Sequence, residues 1–180
     1  MRSSILALGA AALLSFTAAA ALAAVPPPTA GIASFAELKT PLPYPYDEKA
    51  DADPRAVDAR LARAKAQARR AHKLLLIDLG GDWCPGCRIL AATMDLPAVR
   101  RFVDAHYVLA TVDIGHMDKN TQVHARYGVP TLKGLGVPSL LVVDPRTDRL
   151  LDAGHVSALE DARHMSPQAL ADWLAQWPPS

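Results

Sequence analysis

The run Leu74-Leu75-Leu76-Ile77-Asp78-Leu79 constrains this chain more than any other feature. It is short, continuously apolar but for one aspartate, and closed by Lys73 on one side and Gly80-Gly81 on the other. Such a segment suits a central strand buried on both faces. A strand covered on both sides fits an α/β layer architecture, with helices packed on the sheet. Trp83-Cys84-Pro85-Gly86-Cys87 follows at once, and a helix is expected to continue from there to about Met94. The strand therefore hands the chain to a helix whose first turn carries two thiols.

The remaining elements fit the same architecture. Asp53-Pro54 is a helix start, with Asp as N-cap and Pro in the first helical position, and the pattern runs to about Ala71 with Val57 and Leu61 facing inward. Asp95-Leu96-Pro97 breaks the cysteine-bearing helix, and a short helix is expected over 98–103. A second buried strand is expected over 107–114, and a helix over 119–127 closed by Gly128. Ser139 to Asp144 reads as a third strand, joined by Pro145-Arg146-Thr147-Asp148 to a short strand near Leu150-Leu151. Ser166-Pro167 repeats the cap-plus-proline signal and opens a last amphipathic helix bearing Leu170, Trp173, Leu174 and Trp177. The fold class expected is α/β, a central mixed sheet flanked by helices.

Residues 1–23 have the form of a secretory signal peptide: Arg2, an alanine-rich apolar stretch, and the small-x-small pattern Ala21-Leu22-Ala23. An uncleaved anchor is the competing reading, since Ile5 to Val25 is long enough to span a hydrocarbon core of ~30 Å. Either reading puts the rest of the chain outside the cytoplasm, and a periplasmic location is expected. Residues 24–52, with Pro26-Pro27-Pro28 and Pro41-Leu42-Pro43-Tyr44-Pro45, are expected to form an extended, weakly ordered leader, and residues 53–180 a single domain. The formal charge is only +1, and Arg2 lies in the signal segment. Nucleic acid is therefore not an expected partner, and Arg69, Arg70, His72 and Lys73 read as a solvated helix end.

Two cysteines three positions apart do not staple a secreted domain, because so small a loop removes little unfolded-state entropy. At a helix N-terminus the unpaired amides and the positive end of the dipole stabilise a thiolate, so Cys84 is expected to be the exposed, attacking sulfur. Cys87, one turn further in, is expected to be buried and to resolve the mixed disulfide. A zinc site would need His72, His106, His116, His124, His155 or His164 to complete two thiols in an unrecognised pattern. Covalent haem attachment would need histidine where Arg88 stands. No metal or cofactor is expected.

Asp82-Trp83-Cys84-Pro85-Gly86-Cys87, preceded by Leu76-Ile77-Asp78-Leu79 and followed by Gly136-Val137-Pro138-Ser139-Leu140-Leu141-Val142-Val143, resembles the thioredoxin-like superfamily over roughly Asp53 to Trp177. The resemblance implies a thioredoxin-like fold in which Trp83 shields the redox pair and Pro138 is a cis proline packed against the disulfide. It also implies that Val137 pairs its backbone with a substrate strand. Val129-Pro130-Thr131 looks superficially similar, but only Pro138 leads straight into a β-branched strand. Asp78, six residues before Cys84, matches the buried carboxylate that helps deprotonate the resolving cysteine. Burial would raise its pKa and let it accept a proton near neutrality. The plainer alternative is an aspartate at a strand end bonded to backbone.

The function expected is protein thiol–disulfide exchange outside the cytoplasm, with reductase or isomerase direction favoured over oxidase. Pro85-Gly86 departs from the Gly-Pro order of thioredoxin, and family potentials span about −270 to −120 mV, so the dipeptide does not fix the direction. The expected partners are protein disulfides or dithiols and an electron donor or acceptor in the membrane, and a monomer is expected. The alternatives are a copper(I) carrier presenting two soft thiolates and a non-catalytic binding module.

Overall fold

The computed structural model describes residues 25–133 and 136–177. The signal-peptide reading of residues 1–23 lies outside the described residues. Among the described residues four strands, β1 (Leu74–Gly80), β2 (Tyr107–Asp113), β3 (Ser139–Asp144) and β4 (Arg149–Leu150), form one sheet in the order β2-β1-β3-β4. β1 pairs in parallel with β2 and antiparallel with β3, and β4 returns antiparallel along β3, so the sheet is mixed. All seven residues of β1 are buried, which is why its sequence does not alternate.

Among the described residues five α-helices cover the sheet: α1 (Pro54–Ala71), α2 (Pro85–Met94), α3 (Pro97–His106), α4 (Thr121–Arg126) and α5 (Pro167–Leu174). Leu75, Ile77 and Leu79 of β1 join Val57 of α1 and Val123 of α4 in one core layer. Leu74 and Leu76 join Leu90 and Met94 of α2, Val99 and Val103 of α3, and Leu170 and Trp173 of α5 in the other. Alternation along a strand is what divides the two layers. The caps act where the residue types required: Asp53 accepts from Arg55 N and Ser166 from Ala169 N. α4 is shorter than its sequence pattern, because Asn120 before it is left-handed at φ 51° and its Nδ2 donates to the carbonyls of Asp51 and Asp113. Gly128 closes α4 at φ 77°. α3 in turn is longer than expected, running on to His106 where β2 begins.

The proline-rich segment departs from expectation. It is extended but not weakly ordered, for Ala30, Leu38, Tyr46 and Asp51 are buried against the domain. Proline lacks an N–H but keeps its carbonyl, and here the domain supplies the donors. Arg88 of α2 donates to Pro43 O (3.0 Å) and Leu42 O (2.8 Å), and its guanidinium lies 3.9 Å over the Tyr44 ring. Thr111 of β2 donates to Pro45 O (3.0 Å). Residues 41–46 are thus a strap fastened to the domain beside the first turn of α2.

Candidate active site

The sharp exit from β1 through Gly80-Gly81 places Cys84 as the N-cap of α2, with its backbone still extended at φ −88° and ψ 110°. Its Sγ accepts from Cys87 N at 3.1 Å, so the sulfur holds one of the amides that a helix start leaves free. Cys84 and Cys87 form a disulfide, with Cα atoms 5.3 Å apart. The two sulfurs therefore stand within bonding reach on one helical turn, as reversible exchange requires.

Cys84 is less open than expected. It is only 4 % exposed, and Cys87 is fully buried. Cys84 instead lies in the wall of a cleft of about 580 Å³, bordered by Trp83, Gly86, Met117, Gly136, Val137 and Arg163. The Val137–Pro138 bond is cis, Val137 O stands 3.6 Å from Cys84 Sγ, and the Val129–Pro130 bond is trans. A Cβ on Gly86 would lie 3.4 Å from Pro138 Cδ, so the first turn of α2 sits directly on the proline loop. Gly136 and Val137 of that loop border the cleft beside the sulfur.

Trp83 remains 44 % exposed. Its Nε1 donates to Gly115 O (2.8 Å) and its ring stacks on His116 at 4.8 Å between centroids, so the indole is anchored to the loop after β2 and walls one side of the cleft. On its other side Glu48, Asp82, Asp113 and Asp118 line a second recess of about 350 Å³ with His116 and Lys119.

Asp78 is fully buried beneath this surface. Its Oδ1 accepts from Tyr46 Oη at 2.9 Å, and its Oδ2 has no hydrogen-bond partner among the described residues. Burial pushes its carboxyl up to about 7, and the Tyr46 hydrogen bond pulls the other way. Asp78 and Gly80 are two apart in β1 and so face the same layer. A Cβ placed on Gly80 would collide with Tyr46 Oη and lie 2.8 Å from Cys87 Sγ. The structure therefore brings Cys84 and Val137 together in the cleft wall, packs Pro138 against Gly86, and bonds the buried Cys87 to Cys84, while Asp78 is joined to Tyr46, whose hydroxyl and Cys87 Sγ both border the space left at Gly80.

A family model described as thioredoxin-like matches residues 56–145, half of the chain. The chain belongs to the thioredoxin-like family. A thioredoxin from Alicyclobacillus acidocaldarius subsp. acidocaldarius is 28% identical over 76 residues, which cover 42% of this chain and 63% of that protein. The matched segment thus spans less than two thirds of that relative's length. The crystal structure of a disulphide isomerase from Xylella fastidiosa Temecula1 superposes with a TM-score of 0.64 at 29% identity, over 75% of this chain and 97% of that one.

The thioredoxin-like domain carries site residues that its sequence did not disclose. Tyr46 and Arg88 act through contacts to a strap that looked loose, and Gly80 through the space it leaves. One signal did exist for Tyr46. A lone acid in a strand buried on both faces needs a donor, and the chain has only four tyrosines.

Proposed function

We propose that this protein is a thiol–disulfide oxidoreductase acting on disulfides of other proteins outside the cytoplasm, working as a monomer and in the reductase or isomerase direction. The Cys84–Cys87 disulfide at the N-terminus of α2, beside an open cleft, carries this reading. The likeness to a disulphide isomerase supports its direction. The signal-peptide pattern of residues 1–23 supports its location.

In the reduced protein the Cys84 thiolate, stabilised by the helix amides, attacks one sulfur of a substrate disulfide. A Cys84–substrate bond forms, the substrate S–S bond breaks, and the second substrate sulfur leaves as a thiolate that takes up a proton. Cys87 then gives its proton to Asp78 and attacks Cys84 Sγ, which breaks the mixed disulfide and releases the first substrate sulfur. The chain ends as the disulfide seen here, having passed two electrons to the substrate. A dithiol donor, which we place in the membrane, restores the reduced pair.

The test is a redox titration of the Cys84/Cys87 pair together with turnover of an insulin-like disulfide in the presence of a reductant. We expect turnover, loss of all reaction in Cys84→Ser, and a trapped mixed disulfide in Cys87→Ser. A Cys84 that alkylates at mildly acidic pH no faster than a free model thiol overturns the reading.

A further inference from the structure

The strap has no part in the exchange chemistry just described, yet it delivers a hydroxyl to the deepest point of the site. Tyr46 is 6% exposed, and its Oη donates to Asp78 Oδ1 at 2.9 Å. Its backbone is held by Asp82 Oδ1, which accepts from Tyr46 N at 3.2 Å, and the carbonyl before it is held by Thr111. Gly80 is the only residue type that leaves room there, since any Cβ would meet both Tyr46 Oη and Cys87 Sγ. The hydroxyl thus borders, with Cys87 Sγ, the space that a side chain at position 80 would fill, while Asp78 Oδ2 stays unpartnered among the described residues.

We propose that Tyr46 is a positioning residue of the redox centre: the strap inserts its hydroxyl beside Cys87 so that one Asp78 oxygen is held and the other is left free to take the Cys87 proton. This rests on the oxidoreductase reading for its use, but not for its measurement. The proton moves from Cys87 Sγ to Asp78 Oδ2, the sulfur attacks Cys84 Sγ, and the substrate sulfur departs with the electron pair of the broken bond. Tyr46 keeps its own proton throughout, because burial and then the Asp78 charge push its phenol well above the usual range.

The titratable groups around the Tyr46–Asp78 pair come from four places. Tyr46 lies on the strap, Cys87 on α2, Asp82 in the turn after β1, and Asp113 on β2 opposite Gly80. β3 contributes only Leu140 opposite Asp78. No cation faces the carboxyl among these, so the Tyr46 hydroxyl is the group that favours its charged form. Removing it raises the proton affinity of the carboxyl, so that less of it is ionised and available as a base near neutrality. Proton acceptance from Cys87 then requires a higher pH.

The experiment follows the Asp78 carboxyl by carbon-13 NMR against pH in the oxidised full chain, wild type and Tyr46→Phe. The variant's midpoint is expected to rise by about one pH unit, a tenfold change in proton affinity. The pH profile for resolution of a Cys84 mixed disulfide should move by the same amount, which lowers the fraction of Asp78 free to accept a proton, and so the rate of that step, about fivefold at pH 7. Unmoved midpoints in a folded variant overturn the proposal. Should Tyr46→Phe fail to fold, the wild-type Tyr46 ring signals decide: they must shift with the Asp78 midpoint, and signals that ignore that titration overturn it. A wild-type chain that titrates as described but turns over no disulfide overturns the proposed function and leaves this inference standing.

Discussion

Replacing Asp78 by asparagine should make the protein more stable at neutral pH and leave it little changed in acid. The folded chain keeps a proton on Asp78 up to about pH 7, whereas the unfolded chain loses it near 3.8. Between those values the unfolded chain binds fewer protons than the folded one, so stability falls as pH rises and levels off above about pH 7. The gap corresponds to roughly 4 kcal/mol. Asp78 is fully buried, so solvent screening does not reduce that figure. Asp152, also buried and pushed up to about 6, acts with the same sign in both proteins and cancels in the difference. The assay is urea unfolding of the oxidised full chain from pH 4 to 8.5. The stability of Asp78→Asn minus wild type should be within about 1 kcal/mol at pH 4 and climb to several kcal/mol by pH 8, a rise in Tm of the order of 10 °C. Parallel curves, with a difference that does not change with pH, would refute the claim that Asp78 is held protonated by burial.

Two further substitutions test the packing around the strap. Gly80→Ala should cost about 1–3 kcal/mol in the same unfolding assay, because its Cβ enters the space of Tyr46 Oη and Cys87 Sγ, and a neutral effect would mean the strap yields freely. Arg88→Met should cost about 2–3 kcal/mol and speed amide hydrogen exchange in residues 41–46, since it removes two hydrogen bonds to strap carbonyls and the contact over the Tyr44 ring. Unchanged exchange there would show that Thr111 and Tyr46 suffice to hold the strap.

The fold was readable wherever the responsible physics is local. Asp53-Pro54 and Ser166-Pro167 begin helices because a side-chain oxygen and a fixed φ act within one turn. Leu74 to Leu79 marks a central strand because burial on both faces removes the need for polar alternation. Helix ends were less readable where distant partners set them. Asn120 shortens α4 through carbonyls of Asp51 and Asp113, and nothing in the residues 119–127 themselves announces those bonds.

The same distinction explains why the cysteine pair was legible and its support was not. Cys84 and Cys87 share one helical turn, so spacing alone brings their sulfurs into reach. Tyr46 meets Asp78 across 32 residues, and only the path of the strap makes the contact. Treating the prolines as missing donors led to an expectation of weak order, yet a segment rich in free carbonyls binds well to a surface that presents donors. Arg88 and Thr111 are such donors, one on the redox helix and one on β2. The strap is therefore coupled to the site through the very helix that carries the sulfurs, and the burial that raises the proton affinity of Asp78 depends in part on a segment outside the motif that defines the family.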